Sequence, residues 1–138
     1  MSPTLDGWKR SRNAFLIDRC LPPRFALALS KFPVQVLHLA DAYPGRAEHV
    51  LDPEWIRDAG ERGFATITAN PRMLMVAEEM REVRQFGAHI FCLANPDHTV
   101  ETKAMIVGRH YPAIVRRAAK PGACFWRLDP QGTRYDIP

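Results

Sequence analysis

The chain has 138 residues, of which 46% are hydrophobic and 25% are charged, and its formal net charge is +4. This length is typical of a single domain with one hydrophobic core, and no stretch is long and apolar enough to cross a bilayer. The three cysteines, Cys20, Cys92 and Cys124, form no CxxC pair, which argues against a disulfide framework and a zinc site. No export signal is recognisable, so we expect a cytoplasmic protein without a membrane partner.

The charge is unevenly distributed along the chain. Residues 41–62 carry three basic and six acidic side chains, whereas residues 1–40 carry six and two, and residues 111–138 carry five and two. A basic body around an acidic middle suits a protein that attracts a polyanion and also holds a cluster of carboxylates.

Short apolar runs alternate with helical patterns along most of the chain. The runs are apolar throughout, which is typical of strands buried on both faces. In chain order, we predict a polar arm at 1–13, a strand at 14–17, a helix at 22–32, a strand at 34–39, a loop at 40–51, a helix at 52–62, a strand at 64–68, a helix at 72–86, a strand at 88–93, a helix at 99–118 and two strands at 123–128 and 133–137.

Capping and breaking residues support these bounds. Asp52 and Asn70 each precede a proline, as an N-cap and a first helical residue would, and Thr99 caps the longest helical pattern. We expect Pro112 to kink or split that helix. One apolar stripe is predicted to face the core, and it consists of Met73, Ala77, Met80 and Val83.

The alternation indicates an α/β fold with a mostly parallel central sheet between two helical layers and a C-terminal hairpin, in a single domain spanning 1–138. Ligands of such sheets bind beyond the carboxyl ends of the strands. Asp18 follows the first strand, and the loop before Asp52 and residues 68–70 follow the next two. Each acid also has a structural explanation, since Asp18 can form a turn and Asp52 can cap a helix. Glu54 is favoured in a first helical turn whatever its function.

Together, these acids predict a metal site. Carboxylates gathered at one sheet edge repel each other unless a cation neutralises them, and oxygen ligands alone favour Mg²⁺ or Mn²⁺. Such an ion activates water and stabilises the charge of a phosphoryl displacement. Arg19, Arg72 and Lys103 are the candidates for phosphate binding. For Arg19 and Arg72, a salt bridge with the acidic middle segment is the alternative.

Several short motifs, in their order and spacing, resemble the PIN-like domain family. They are FLID at 15–18 before a proline-containing helix, VLHL at 36–39, DPEWI at 52–56, ATITANPR at 65–72, LAN at 93–95 and the long helix from Thr99. The resemblance covers about residues 14–137. It is to the branch of VapC-type toxins of toxin–antitoxin pairs, close to Mut7-C and other short PIN-like proteins. It implies a Mg²⁺- or Mn²⁺-dependent ribonuclease that cleaves RNA, is silenced by a cognate antitoxin and forms a homodimer.

The resemblance also assigns roles to residues. Asp18 matches the first-strand aspartate that binds the metal, and Asp52, or Glu54 two residues on, matches the second acid. The third acid normally ends a Thr-Arg-Asp segment, where this chain has Asn70. The implied catalytic residues are therefore Asp18, Asp52 and Glu54, and the implied metal ligands are Asp18, Asp52 and Asn70. Asn70 offers an oxygen ligand but no charge.

Two alternatives to an active ribonuclease stay open. Because of Asn70, the chain fits a PIN-like scaffold that binds RNA or an antitoxin without cutting, whether that residue is natural or engineered. A flavodoxin-like receiver or nucleotide-binding domain would also use Asp18. However, the chain lacks GxGxxG and GxxxxGK[ST], a second acid beside Asp18 and an aspartate after the third strand.

Overall fold

A computed structural model of the chain describes residues 14–45 and 48–138, so the predicted arm at 1–13 lies outside the described residues. The strands are β1 (Ala14–Ile17), β2 (Gln35–His38), β3 (Ala65–Thr68), β4 (His89–Cys92), β5 (Cys124–Asp129) and β6 (Gly132–Ile137). The helices are α1 (Pro23–Leu29), α2 (Leu39–Ala42), α3 (Asp52–Arg62), α4 (Ala77–Phe86) and α5 (Val100–Ala118), with a 3₁₀ turn at Pro71–Met75.

The strands form one sheet in the order β2-β1-β3-β4-β5-β6. Neighbouring strands from β2 to β5 are parallel, and β6 is antiparallel to β5. The chain places β2 on one side of β1 and all later strands on the other side. The strand order therefore switches between β1 and β3, and the crevice at the carboxyl ends of these two strands is where such sheets bind ligands.

The sheet separates two hydrophobic clusters. α3 and α4 cover one face, which includes Leu16 and Ile90, whereas α1 and α5 cover the other, which includes Ile17 and Phe91. Consecutive strand residues belong to opposite clusters because side chains alternate along a strand. The prediction of a three-layer α/β fold with a mostly parallel sheet and a C-terminal hairpin is confirmed.

α1 ends three residues before its predicted end. After Leu29, the backbone N–H groups of Ser30, Lys31 and Phe32 bond to carbonyls three residues back. This tighter turn precedes Pro33, and a residue before proline is disfavoured in the α-helical conformation. Pro33 therefore ends the α-helix earlier in the chain than the apolar pattern indicates.

The predicted loop at residues 40–51 contains the short helix α2. The Nδ1 atom of His38 accepts a hydrogen bond from the backbone N–H of Ala40 at 3.0 Å and so caps the first turn. Histidine is a rarer N-cap than Ser, Thr, Asp or Asn, so the sequence carries little signal for this helix.

The predicted helix over 72–86 is broken. The side chain of Asn70 caps the 3₁₀ turn, as expected, by accepting the N–H of Arg72 at 3.1 Å. Val76 is then extended, with φ −100° and ψ 107°, and α4 begins only at Ala77. The break resets the helical phase, because a new helix starts after one extended residue.

The new phase changes which side chains face the core. Met73, Met80 and Val83 are buried as predicted, but Ala77 is exposed, so its place in the core stripe is wrong. Glu79 takes the inward position beside Met80, and it is buried. A carboxylate therefore enters the layer between α3 and α4.

α5 is one continuous helix through Pro112, so the predicted split does not occur. Thr99 caps it as expected, since its hydroxyl accepts the N–H of Thr102 at 3.1 Å. Gly108 lies directly against the ring of Phe32, which leaves no room for a Cβ atom at this position. None of the helices in residues 14–45 and 48–138 is long and apolar enough to span a bilayer.

We expect Gly60→Ala to destabilise the fold by about 1–2 kcal/mol. A Cβ atom at Gly60 would lie 2.6 Å from the backbone carbonyl oxygen of Phe86, where α3 crosses the end of α4. Overpacking costs about 1–3 kcal/mol, and the better helix propensity of alanine returns at most about 1 kcal/mol. Urea unfolding should show a lower midpoint with an unchanged slope. Gly132→Ala is the control, because nothing lies within 4 Å of its added Cβ, and equal midpoints would contradict the prediction.

Candidate active site

Asp18 stands at the crevice between β1 and β3. Its backbone N–H donates to the carbonyl of Ile67 at 3.0 Å, which extends the pairing of the two strands by one residue. Alternation along β1 places its side chain on the same face as Leu16, the face that α3 and α4 cover. Asp18 is only 5% exposed.

Two side chains hold the Asp18 carboxylate. The hydroxyl of Thr68 donates to Oδ2 at 2.8 Å, and the thiol of Cys20 donates to the same oxygen at 3.4 Å. Burial raises the pKa of Asp18 and the charge of Asp52 adds to the rise, while the two hydrogen bonds oppose it. Burial therefore disfavours the charge of the ionised Asp18 carboxylate, whereas the hydrogen bonds from Thr68 and Cys20 stabilise it.

The donors to Asp18 are themselves fixed by the backbone after β3. The hydroxyl of Thr68 accepts the N–H of Asn70 at 3.1 Å, so its own proton is directed to Asp18. The sulfur of Cys20 accepts the N–H of Ala69 at 3.3 Å. Burial and the charge of Asp18 raise the pKa of this thiol to about 11, so it stays a neutral donor at neutral pH.

Asp52 is the second acid, and it does not cap α3 as predicted. The N-cap is Leu51, and Asp52 is the first helical residue. Its Oδ1 instead accepts the indole N–H of Trp55 at 2.8 Å and a guanidinium N–H of Arg19 at 3.2 Å. Arg19 also donates to the carbonyl of Val50. The salt bridge that the sequence allowed between Arg19 and the acidic middle segment is therefore formed, and a role of Arg19 in phosphate binding stays a prediction.

Glu54 lies on a different side of α3. It is two positions after Asp52, which is about 200° around a helix. Burial and the hydrogen bond that its hydroxyl donates to Asp58 raise the pKa of Tyr43, and the charge of Glu54 adds to this rise. The charge of Asp52, by contrast, acts on Asp18. The structure therefore brings Asp52 to Asp18 and places Glu54 in another cluster.

Glu79 is a third acid at this site, and the apolar pattern of the sequence does not single it out. It is 8% exposed, and its Oε1 is buried with no hydrogen-bond partner among the described residues. Burial and then the charges of Asp52 and Asp18 raise its pKa to about 7. The sequence contains one indication that Glu79 is buried: it lies four residues before Val83 and therefore on the same, inward face of α4. The misplaced start of α4 concealed that relation.

The other predicted residues lie around this cluster. The amide oxygen of Asn70 is engaged by the N–H of Arg72, whose side chain is exposed on the 3₁₀ turn. Lys103 is partly buried in the first turn of α5, the helix that packs on the opposite face of the sheet. Within the described ranges, no hydrogen bond or ion pair joins Lys103 to Asp18, Asp52 or Glu79.

As they stand, no three His, Cys, Asp or Glu side chains in the described residues are grouped so that they could hold a metal ion. In the predicted set, Arg19 engages Asp52 and the oxygen of Asn70 caps a turn. The charge of Asp52 nevertheless adds to the rise in the pKa of Asp18, and the charges of Asp52 and Asp18 add to the rise that burial causes in the pKa of Glu79. All three are hard oxygen donors, and burial disfavours the charges of Asp18 and Glu79, so the chemistry of the donor set suits a divalent cation.

The family model described as "PIN like domain" matches residues 14–95, a segment that contains β1 to β4 and all three acids. The chain belongs to the PIN-like domain family. The match ends before α5, so that helix and the C-terminal hairpin lie outside it. No curated protein and no solved structure matches the chain. PIN-like domains are commonly nucleases, and the fold is accordingly a nuclease-type scaffold.

Proposed function

We propose that this PIN-like domain is a metal-dependent ribonuclease with Asp18, Asp52 and Glu79 as its reactive centre. The observation that carries the proposal is Glu79, a buried carboxyl with an unpartnered oxygen whose pKa two other acids raise. Buried polar groups are almost always paired, and strongly perturbed acids gather at functional sites. The cluster also stands at the strand switch, where α/β sheets bind ligands.

Asp18, Asp52 and Glu79 would hold Mg²⁺ or Mn²⁺, which suits their oxygen donors. A bound ion of this kind stabilises charge on a phosphate and activates water. Thr68 and Cys20 orient Asp18, while Arg19 and Trp55 orient Asp52. The buried, unpartnered Oε1 of Glu79 would be the atom that accepts a proton from an attacking water.

The basic residues supply the contacts to the polyanion in this proposal. Arg72 is exposed beside the crevice and is available to a phosphate next to the cleaved bond. Arg19, which is paired with Asp52, would contact a phosphate beside that acid. Lys103 is the most remote of the three, and its contribution is to hold the RNA further along its length.

The finer part of the proposal concerns the biological setting. We propose that the chain is the toxin of a type II toxin–antitoxin pair and that a cognate antitoxin neutralises it in the cytoplasm. The support is the order and spacing of its short motifs, which resemble those of VapC-type toxins. A homodimer is part of the same proposal.

A second candidate function is a PIN-like scaffold that binds RNA or an antitoxin without cutting. The observation that favours it is Asn70, whose side chain caps a turn and brings no charge to the site. Binding of RNA that stays intact in Mg²⁺ and in Mn²⁺ would support this function over cleavage.

The proposal predicts that the purified chain cleaves RNA in Mg²⁺ or Mn²⁺ and that EDTA stops cleavage. The same cations should raise the thermal unfolding temperature, because an ion that binds only the folded state at 100 times its Kd stabilises it by about 2.7 kcal/mol. Gel analysis of labelled RNA and a thermal shift titration test the two parts. Intact RNA together with an unchanged unfolding temperature would exclude a metal-dependent nuclease.

A further inference from the structure

The C-terminal hairpin and the end of α5 form a second surface, outside the segment that matches the family. They enclose a cleft of about 440 Å³, and its lining includes Arg116, Lys120, Trp126 and Tyr135. Basic side chains interleaved with aromatic rings are the combination that binds single-stranded nucleic acid. We refer to these four residues as the hairpin surface.

The aromatic part of the hairpin surface is rigid and open. Tyr135 is 57% exposed and packs edge-on against Trp126, with ring centroids 5.0 Å apart and planes at 83°. Trp126 in turn packs edge-on against the buried ring of Phe91 at 5.3 Å. Tyr135 therefore presents an accessible ring that is anchored to the core, which lowers the entropy cost of stacking a base on it.

The basic part of the hairpin surface is held in place by Arg117. Arg116 and Lys120 are exposed on either side of Arg117, at the end of α5 and just after it. The guanidinium of Arg117 donates to four backbone carbonyls, those of Lys120, Gly122, Ala123 and Pro138. Arg117 thus fixes the turn, and the charges of Arg116 and Lys120 stay available at the mouth of the cleft.

The charged side chains that line the hairpin surface are all basic, because the nearby acidic side chains lie elsewhere. Asp136 is on the other side of the hairpin, where it accepts a hydrogen bond from Arg127 at 2.7 Å, and Asp129 ends β5 at the turn. No acidic side chain is among those that line the cleft in the described part of the chain. The surface is accordingly complementary to phosphate.

We propose that the hairpin surface binds single-stranded RNA, with one base stacked on Tyr135 and the neighbouring phosphates bound by Arg116 and Lys120. Trp126 on β5 is aligned with Ile17 on β1 through the paired residues of β4 and β3. Three strand spacings, about 14 Å, therefore separate β5 from β1, the strand that leads to Asp18. The surface lies on the opposite face from the acids. It therefore holds a part of the RNA distant from the cleaved bond, an assignment that rests on the proposed function.

Equilibrium binding without cleavage tests this inference. A fluorescein-labelled single-stranded RNA of about 20 nucleotides is titrated with the full chain in EDTA, and anisotropy gives the Kd. Tyr135→Ala should weaken binding roughly five- to a hundredfold, the loss that corresponds to one stacked base. Tyr135→Phe keeps the ring and should bind like the original chain. Equal affinity of the alanine variant and the original chain would overturn the inference.

A charge variant gives an independent measurement. Arg116→Ala should weaken binding and make the slope of log K against log salt shallower by about 0.7, the value for one phosphate contact on a single strand. Arg134→Ala is the matched control, since Arg134 is on the other face of β6 and its side chain is 72% exposed. If both substitutions weaken binding equally, the RNA is attracted only by the overall positive charge of the chain, and the proposed binding site is wrong. None of these binding measurements needs RNA cleavage. If the chain does not cleave RNA but gives the expected binding results, the proposed nuclease function is wrong and the proposed RNA binding by the hairpin surface still holds.

Discussion

Asp18→Asn is expected to abolish RNA cleavage, with a fall in rate of more than about a hundredfold, while the chain stays folded. Asparagine has the same shape and still accepts the hydroxyl of Thr68 through its amide oxygen, but it carries no charge for a cation. Stabilisation by a bound cation amounts to several kcal/mol, and each 1.36 kcal/mol is a tenfold change in rate. Initial rates on labelled RNA in Mn²⁺ measure the effect.

The control for Asp18→Asn is Asp97→Asn. Asp97 is an exposed acid in the loop after β4, so the substitution makes the same chemical change at the same edge of the sheet without touching the crevice. Its rate should equal that of the original chain. Thermal unfolding in EDTA should show that Asp18→Asn is at least as stable as the original chain, because burial disfavours the charge that it removes. Cleavage by a folded Asp18→Asn variant at more than a tenth of the original rate would contradict the proposed role.

The position of Asp18 could be predicted because it depends on local information. An apolar run that ends at an aspartate, followed by two prolines, indicates both the strand and its carboxyl end. The parallel sheet then follows from the alternation of elements, and the strand switch from the order in which they pair. Asp18 and its place at the edge of the sheet can therefore be predicted without knowledge of side-chain contacts.

The choice between Asp52 and Glu54 could not be made from the sequence. Both acids are in the first turn of α3, and their separation depends on which side of the helix packs on the sheet. The proposal takes Asp52 because the buried Trp55 turns its indole N–H towards Asp52 and fixes that carboxylate beside Arg19. A pattern of residue types does not contain such a contact.

Glu79 was missed because of one extended residue. Val76 separates the 3₁₀ turn from α4, and without that break the apolar pattern places Ala77 rather than Glu79 towards the core. A buried glutamate is also rare, so the general preference of charged residues for solvent favours the wrong assignment. The charges of Asp52 and Asp18 on Glu79 appear only once α3 and α4 are packed together.

Glu79→Gln is expected to lower the rate of RNA cleavage about 10²- to 10⁴-fold. The change removes both a charge of the proposed metal site and a proton acceptor at Oε1, and losing a general base alone has an effect of this size. Glu78→Gln is the matched control, since Glu78 is the exposed neighbour on the same turn of α4. Its rate should stay within a few fold of the original.

A complementary substitution separates Glu79 from Asn70 as the source of the third charge. Aspartate caps a turn as well as asparagine does, so Asn70→Asp should fold normally and change the rate only a few fold if Glu79 already supplies the charge. A large gain in cleavage would show instead that the chain lacks its third acid after β3. Steady-state rates of Glu79→Gln and Asn70→Asp on the same RNA therefore distinguish the two assignments.

The effect of Glu79→Gln on stability should depend on pH. In EDTA, the pKa of Glu79 is about 7 in the folded chain against an ordinary value of 4.5, so the folded state binds more protons between these values. Glu79 therefore lowers the free energy of unfolding as the pH rises from 4.5 to 7, and the glutamine variant lacks this contribution. Urea midpoints of the two chains should agree near pH 4.5, and the variant should be more stable above pH 7. A difference in stability that does not change with pH would mean that the pKa of Glu79 is not raised in the folded chain. In a separate test, Mg²⁺ or Mn²⁺ should make the original chain more stable than the glutamine variant only if the Glu79 carboxylate binds the ion.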